Sequence, residues 1–273
     1  MSASTLFTLL AVGAVVLLGA AAASQRRRAR RLERLLDGTA AKLEALQIQF
    51  EHFAPDAVVE RLTQDDDRIA PNRREVTVLF ADLQGFTGMC DRLDPMDTVR
   101  ILNGYFKCMS DAITRHHGRV TELVGDGMLA LFGALEPNPW QAQDAVLGAL
   151  DMRSELARYN AELRAHALPE LRFGVGIHRG EVVAGIMGNE TLSKFSVVGD
   201  TINVASRIEG LTRVHAVDLL ITEEVKAALD DRFRLRGMPA MAVKGKTQPI
   251  VTYHVEGLLP KARPAGTQPA ALS

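Results

Sequence analysis

Cysteine is scarce in this chain, and its positive and negative charges almost cancel. Only two cysteines, Cys90 and Cys108, occur among 273 residues, which excludes a disulfide framework and a cysteine-rich zinc site and fits a reducing compartment. The formal net charge of -1 gives no overall attraction to nucleic acid, so no nucleic-acid partner is expected. Hydrophobic residues make up 47% of the chain, enough for a globular domain with accessory segments.

Charged residues are also absent from positions 3–23, a run long enough as a helix to cross a bilayer of about 30 Å. Arginines follow closely, and no basic residue precedes the run; they are Arg26, Arg27, Arg28, Arg30, Arg31 and Arg34. The positive-inside rule therefore predicts a single-pass anchor over residues 1–25 in the inner (plasma) membrane, with the chain beyond it cytoplasmic. The alternative is a cleaved signal peptide, which needs a positive start that residues 1–5 lack.

Residues 26–73 are predicted to form a helical linker. A narrow, mostly apolar seam runs there at steps of three and four: Leu32, Leu35, Thr39, Leu43, Leu46, Phe50 and Phe53. This spacing predicts a short parallel coiled coil. Because it spans only about three heptads, a single amphipathic helix lying on the next domain is the alternative. The tail at 259–273 is rich in proline and alanine and is predicted to be disordered.

Between residues 74 and 258 the apolar pattern changes repeatedly between the period of a strand and that of a helix. Strands are predicted at 75–81, 119–124, 127–133, 171–178, 181–187 and 194–198, and helices at 95–116, 138–164 and 201–211, with short strands and one helix continuing to 256. Two tight turns, Gly125-Asp126-Gly127 and Arg179-Gly180-Glu181, each join neighbouring strands. This arrangement predicts an α+β domain with a largely antiparallel sheet and helices packed on it, instead of a doubly wound sheet.

Two aspartates stand at the ends of predicted strands. Asp82 lies in VTVLFADLQGFTGM (76–89), and Asp126 lies in ELVGDGMLALFG (122–133). Two carboxylates presented beside glycines at strand ends suit a pair of hard divalent cations bound to a triphosphate. Asp126 alone can shape a hairpin turn, a common role for aspartate beside glycine, but a turn does not explain Asp82.

These two segments belong to a series that resembles the catalytic domain of the class III nucleotide cyclases. The other members of the series are FGVGIHRGEVVAGIMG, FSVVGDTINVASRIEGLT and VKGK, and FAPDAVVERL resembles the entry segment that precedes the domain in bacterial members. Five blocks in order are far more specific than one glycine pattern. The resemblance implies a ferredoxin-like, antiparallel-rich sheet sandwich preceded by a transmembrane helix and a helical linker. It also implies conversion of a nucleoside triphosphate to a 3',5'-cyclic monophosphate and pyrophosphate.

The resemblance assigns roles to residues near the metal ions. It implies that Asp82, Asp126 and the carbonyl of Leu83 bind two Mg²⁺ or Mn²⁺ ions per active site, in the oxygen-only shell that magnesium prefers. Phe86 and Thr87 lie at a strand-to-helix junction, where backbone N–H groups can point at the phosphates.

A second group of implied residues lies further along the chain. Asn203 and Arg207 are predicted on one helix face, where Asn orients the ribose and Arg stabilises charge on the α-phosphate; an ordinary surface pair is the alternative. Lys244 is implied to bind the triphosphate, although a lysine beside glycine can also be a solvated turn residue. Many family members have an arginine at the position of Gly174, and Arg172 is a possible replacement on the same strand face.

Glu122 and Ser196 match the positions that read the base. Glu122 is predicted between Val120 and Val124 on one strand face, a costly place for a carboxylate without a donor. Guanine offers donors at N1 and N2, and Ser196 can donate to guanine O6, so GTP is the favoured substrate. The alternative is ATP, since serine can also accept from adenine N6 and a protonated glutamate can donate to adenine N1.

The resemblance also implies a homodimer. In this family the metal-binding aspartates come from one chain, while the base-reading residues, Asn and Arg come from its partner. This chain contains both halves, so a head-to-tail homodimer with two equivalent sites is expected. A catalytically silent nucleotide sensor and a membrane-anchored recruitment module are alternatives. Retention of both aspartates, Asn203 and Arg207 favours the enzyme.

Overall fold

The computed structural model describes residues 71–188, 193–243 and 248–259. The predicted membrane anchor and coiled coil lie outside these residues, as does Lys244. Within the three described ranges, no helix is both long enough and apolar enough to cross a bilayer.

The described residues form an α+β domain, which confirms the predicted fold class. The strands are β1 (Asn72–Leu83), β2 (Arg119–Val124), β3 (Gly127–Phe132), β4 (Phe173–Gly188), β5 (Ser193–Val198), β6 (Leu219–Thr222), β7 (Phe233–Gly237) and β8 (Thr252–Leu258). The helices are α1 (Phe86–Cys90), α2 (Pro95–Arg115), α3 (Gln141–Ala165), α4 (Asp200–His215) and α5 (Glu223–Lys226). The helices and strands predicted before residue 211 therefore exist, with one exception in β4.

The strands form a single sheet in the order β2-β3-β1-β4-β6-β8-β7, and β5 pairs with β4. Among the described strands only the β4–β6 pairing is parallel. The antiparallel-rich sheet is thus confirmed. Because β1 is central, its residues Val76–Leu79 are buried on both faces, which explains why its sequence is a nearly continuous apolar run.

The sheet separates two apolar layers. On one face Leu79 and Ala81 of β1 pack with Tyr105 of α2 and Met152 of α3 in the main core. On the other face Val76 and Val78 pack with residues of β5 and α4, which form the second core; its buried members are Val76, Val78, Leu129, Leu131, Ala134, Val182, Ala184, Val197 and Ala205. Alternate residues of each central strand therefore face opposite layers.

Strand β4 runs unbroken through the predicted Arg179-Gly180-Glu181 turn, so that prediction was wrong. It pairs with β1 from Phe173 to Ala184. Gly180 is instead a point of close packing, because a Cβ there would lie 2.8 Å from the Thr201 hydroxyl oxygen. That hydroxyl donates to the Glu181 carbonyl at 2.7 Å, which fixes the first turn of α4 on the strand.

Strand β2 contains an irregularity that changes the predicted position of Glu122. Val120 pairs with Ala130, but Glu122 pairs with Leu129, so one extra residue is inserted between them. Residues opposite each other across an antiparallel pair share a face. Val120 therefore lies on the main-core face and Glu122 on the second-core face. The prediction that these two side chains share a strand face was wrong, because a β-bulge resets the alternation.

Helix α4 lies directly on β4. A Cβ at Gly176 would lie 2.5 Å from the Ala205 carbonyl oxygen and directly against the backbone nitrogen of Glu209. The face of α4 that meets the sheet is buried and includes Ala205, Ile208 and Thr212. The glycine thus permits two backbones to touch where any side chain would separate them.

We expect Gly176→Ala to destabilise the domain by about 2–3 kcal/mol, because the added methyl meets helix backbone that cannot turn aside. Denaturant unfolding of the full chain, followed by circular dichroism, measures this loss. Gly210→Ala is the matched control on α4, since nothing lies within 4 Å of its Cβ position. It should stabilise by about 0.5–1 kcal/mol through helix propensity. Equal effects of the two substitutions would contradict the close packing of α4 on β4.

Candidate active site

The two predicted metal-binding aspartates meet at one end of the sheet. Asp82 is near the end of β1, and Asp126 lies in the tight turn between β2 and β3, where Gly125 has φ 63°. Gly127, the first residue of β3, is so close that a Cβ there would lie 3.3 Å from Asp82 Oδ1. The Gly125-Asp126-Gly127 turn is confirmed, and it carries one aspartate to the side of the other.

An arginine from α4 reaches this pair. Arg213 Nη2 lies 2.6 Å from Asp82 Oδ2 and 3.5 Å from the Leu83 carbonyl oxygen. Arg213 Nη1 lies 3.4 Å from an oxygen of Glu209. A guanidinium therefore contacts two of the groups that the sequence assigned to a metal ion.

Glu209 lies behind this arginine and is almost completely buried, with 5% of its side chain exposed. Burial raises the pKa of Glu209 to about 7; Arg213 opposes the rise, whereas the charges of Asp82 and Asp126 add to it. Its Oε1 atom has no hydrogen-bond partner among the described residues. A buried carboxylate oxygen without a donor is costly, and the positive charge beside this one is Arg213 Nη1, 3.4 Å away.

The site carries an excess of negative charge. Burial and the charge of Asp82 both raise the pKa of Asp126. Burial and the charges of Asp82, Asp126 and Glu209 likewise raise the pKa of Tyr105, which lies beneath them in the main core. One guanidinium thus interacts with three carboxyl groups, and their mutual repulsion disfavours the ionised form of Asp126 and Glu209.

The position of Gly174 has no room for the arginine found in many family members. A Cβ there would meet the Thr212 hydroxyl and lie 2.5 Å from Glu209 Oε1. Arg172, the possible replacement, precedes β4 and has an exposed side chain, and its carbonyl accepts from Gln84 N at 2.7 Å. The arginine beside the aspartates comes instead from α4, as Arg213.

Asn203 and Arg207 do not join the aspartates of their own chain. Asn203 lies on the side of α4 away from its buried face, whereas Arg207 lies beside that face and its Nη1 atom is buried. Along the helix they precede Arg213 by about 15 Å and about 9 Å, at a rise of roughly 1.5 Å per residue. Asn203 is exposed, and the Arg207 side chain is 30% exposed with Nη1 4.0 Å from Asp200 Oδ1. Their predicted placement on one helix is confirmed.

The predicted base-reading residues lie on two strands that a common apolar cluster connects. Leu129, the strand partner of Glu122, belongs to the second core, and Phe195 of β5 packs against that core. Strands β3 and β5 therefore contribute to the same apolar cluster, the second core. Ser196 is partly buried, and the alternation of β5 places it on the face opposite Phe195.

The predicted phosphate loop leads into the short helix α1. The Phe86 side chain is 7% exposed and packs in the main core, so its backbone N–H is the group left for a ligand. Gly85 at the N-cap has φ 74°, and no side chain caps the first turn. Thr87 is exposed. These features leave N–H groups at the helix start available for an anion.

Comparison with known proteins identifies the family. Residues 69–257 match the model of the adenylate and guanylate cyclase catalytic domain. The chain belongs to the class III nucleotide cyclases. Among curated proteins it is 35% identical to an adenylate cyclase of Anabaena cylindrica over 79% of this chain and 44% of that protein. It is 32% identical to adenylate cyclase 1 of Rhizobium meliloti over 68% of this chain and 28% of that protein. The chain thus spans less than half the length of these relatives.

Solved cyclase structures match the domain at nearly their full length. The guanylyl cyclase Cya2 is 35% identical with a TM-score of 0.66, over 70% of this chain and 96% of that one. The adenylyl cyclase CyaB from P. aeruginosa is 28% identical with a TM-score of 0.63, over 68% and 95%. A guanylate cyclase domain of Catenaria anguillulae in complex with GTP is 26% identical with a TM-score of 0.61, over 69% and 100%.

Sequence reasoning missed Glu209 and Arg213. The signal that was present is the spacing within α4: Glu209 falls on the apolar stripe formed with Ala205, Ile208 and Thr212. A carboxylate on the buried stripe of an amphipathic helix needs a partner, and Arg213 follows at i+4. This pair is visible in the sequence, but its contact with Asp82 depends on the tertiary packing of α4.

We expect Asp126→Asn to increase the free energy of unfolding of the metal-free protein slightly, by less than about 1 kcal/mol after solvent screening, and so to raise its melting temperature. The raised pKa of Asp126 means that folding disfavours its ionised form. This penalty is present at neutral pH and disappears as pH falls and the carboxyl is protonated in both states. Thermal melts in EDTA at pH 7 and at about pH 3, below the ordinary pKa of an aspartate, measure the difference.

Asp111→Asn is the control for this measurement, because Asp111 forms an exposed ion pair with Lys107 on α2. It should give little change or a small loss at neutral pH. A loss of stability in Asp126→Asn at pH 7 would show that the aspartates do not repel each other in the folded domain.

Proposed function

We propose that this protein is a nucleotide cyclase that converts GTP, in preference to ATP, to the 3',5'-cyclic monophosphate and pyrophosphate. One observation carries the proposal: Asp82 and Asp126 come together at the end of the sheet, and Asp82 already binds a cationic group there. Membership of the cyclase family supplies the reaction class. In the same proposal, the predicted anchor at residues 1–25 keeps this domain on the cytoplasmic side of the membrane.

The donor atoms at this end of the sheet fit a magnesium or manganese ion. The carboxylates of Asp82 and Asp126 and the Leu83 carbonyl are hard oxygen ligands, and the Arg213 guanidinium occupies a cation's position against two of these three residues. Two bound ions per site would lower the pKa of the ribose 3'-hydroxyl and neutralise the leaving pyrophosphate.

Other residues of the chain bind and orient the nucleotide. The N–H groups at the start of α1, at Phe86 and Thr87, face the phosphates, and Lys244 adds a positive charge to the triphosphate. Asn203 orients the ribose, and Arg207 stabilises charge that grows on the α-phosphate. These assignments follow from the family motif, residue by residue.

Two subunits are needed to complete each site. Asn203 is exposed on α4 and precedes Arg213, which contacts Asp82, by about 15 Å along the helix. Asn203 therefore lies too far along the helix to reach the aspartates of its own chain. A head-to-tail homodimer brings the aspartates of one chain to Asn203 and Arg207 of its partner, and two-fold symmetry then generates two equivalent sites.

Base selection depends on Glu122 and Ser196. Glu122 is partly buried on the second-core face of β2, and its carboxylate is suited to accept from guanine N1 and N2. The related domain from Catenaria anguillulae binds GTP in its solved complex. Its likeness to this chain supports the same substrate here, whereas the adenylate cyclase relatives favour ATP.

We expect the purified full chain with manganese to form cyclic GMP from GTP at least about tenfold faster than cyclic AMP from ATP, because a polar pocket rejects a base that leaves its groups unpaired. Chromatography with mass spectrometry identifies the products. Glu122→Lys should reduce the GTP reaction far more than the ATP reaction. Glu170→Lys, an exposed residue paired with Arg164, is the charge-matched control and should change neither. Exclusive formation of cyclic AMP by the unmodified chain would overturn the choice of GTP.

We expect Asp82→Ala and Asn203→Ala chains, each inactive alone, to regain activity when mixed and re-associated. Half of the dimers in an equal mixture are mixed, and each has one intact site, so about a quarter of the wild-type rate should return. The control is a mixture of Asp82→Ala with Asp126→Ala, which damages the same half of every site and should remain inactive. Recovery in the control, or none in the test mixture, would contradict a shared site.

A further inference from the structure

We infer that Arg213 and Glu209 together set the affinity of the site for divalent cations. Arg213 is an internal counter-ion that holds Asp82 when no metal is bound, and Glu209 is the acceptor to which it withdraws when metal arrives. The inference rests on the proposed metal site at Asp82 and Asp126. It assigns a positioning role to two residues outside the aspartate and base-reading sets.

Arg213 and a metal ion would compete for the same atoms. The guanidinium lies 2.6 Å from Asp82 Oδ2 and 3.5 Å from the Leu83 carbonyl oxygen, and these are two of the three groups proposed as metal ligands. Two cations cannot share those oxygens at contact distance, since like charges repel strongly where solvent is partly excluded. Metal binding therefore requires the guanidinium to leave Asp82.

Glu209 is a second acceptor to which the Arg213 guanidinium can move. Both of its carboxylate oxygens are already 3.4 Å from Arg213 Nη1, and its Oε1 atom has no hydrogen-bond partner among the described residues. Loss of the Asp82 contact can thus be offset by shorter bonds to an existing buried partner. A rotation of the Arg213 side chain is sufficient, because both residues lie on α4.

The position of Glu209 is fixed by the strand beneath it. Its backbone nitrogen packs directly against Gly176, and its Oε1 atom lies 2.5 Å from the point that a Cβ at Gly174 would occupy. The acceptor therefore stays in place while the exposed end of Arg213, with 43% of its side chain accessible, is free to move. A fixed buried acid beside a movable arginine is what a cation exchange at Asp82 requires.

The test is Mn²⁺ binding to the full chain without nucleotide, measured by electron paramagnetic resonance. Arg213→Met should tighten binding about fivefold, since it removes the competing ion pair of a partly exposed arginine. Glu209→Gln should weaken binding about threefold, since Arg213 then keeps Asp82 as its main partner. In the Arg213→Met background, Glu209→Gln should have almost no effect on Mn²⁺ binding, because the guanidinium that Glu209 would bind is absent.

The double-mutant comparison separates this role from a general effect of charge. A simple electrostatic influence of Glu209 on the metal would weaken binding equally in both backgrounds, and that result would overturn the inference. Unchanged or weaker binding in Arg213→Met would also overturn it. If Arg213→Met does not retain its circular dichroism spectrum, Arg213→Gln removes the same charge and carries the same expectation.

Two further variants complete the experiment. Arg158→Met removes an arginine from an exposed ion-pair cluster on α3 and should leave Mn²⁺ binding unchanged. Asp82→Asn should abolish most of the binding. If it does not, the proposed metal site itself is wrong. If Mn²⁺ binding depends on Asp82 but does not change in Arg213→Met, only the inference about Arg213 and Glu209 is refuted.

Discussion

Direct contact between the backbones of α4 and β4 determines how this domain can work. Gly174, Gly176 and Gly180 lie on one face of β4, and at each of them a side chain would collide with α4. The helix is therefore held at a fixed distance and rotation along some three turns of its length. This packing fixes the positions of the functional groups that α4 carries. One end of the helix lies toward Asp82, and the other end lies toward the outer surface.

Helix α4 carries functional side chains at both of its ends. Near its C-terminal end the partly exposed Arg213 contacts Asp82 of the same chain and lies beside the buried Glu209, whereas Asn203 is exposed near its N-terminal end. In a head-to-tail dimer, the two ends of α4 would belong to different active sites.

The sequence was informative where a pattern reflects local geometry. The α+β class, the Gly125-Asp126-Gly127 turn and the meeting of Asp82 with Asp126 could be predicted because hairpins and strand ends have local signatures. The unbroken β4 could not, because glycine in Arg179-Gly180-Glu181 meets the needs of a turn and of a close contact equally well. The bulge in β2 and the reach of Arg213 to Asp82 depend on partners distant in sequence, and no local pattern reports them.

Holding several acidic groups close together at this site has a cost in folding free energy. Burial and mutual repulsion raise the pKa values of Asp126 and Glu209, so the metal-free domain holds acidic groups that it would be more stable without. The surrounding core maintains them, because α2, α3 and the sheet bury a large apolar surface beside the site. If a divalent cation binds here, as proposed, it would relieve this repulsion, and the free energy so released would contribute to its affinity.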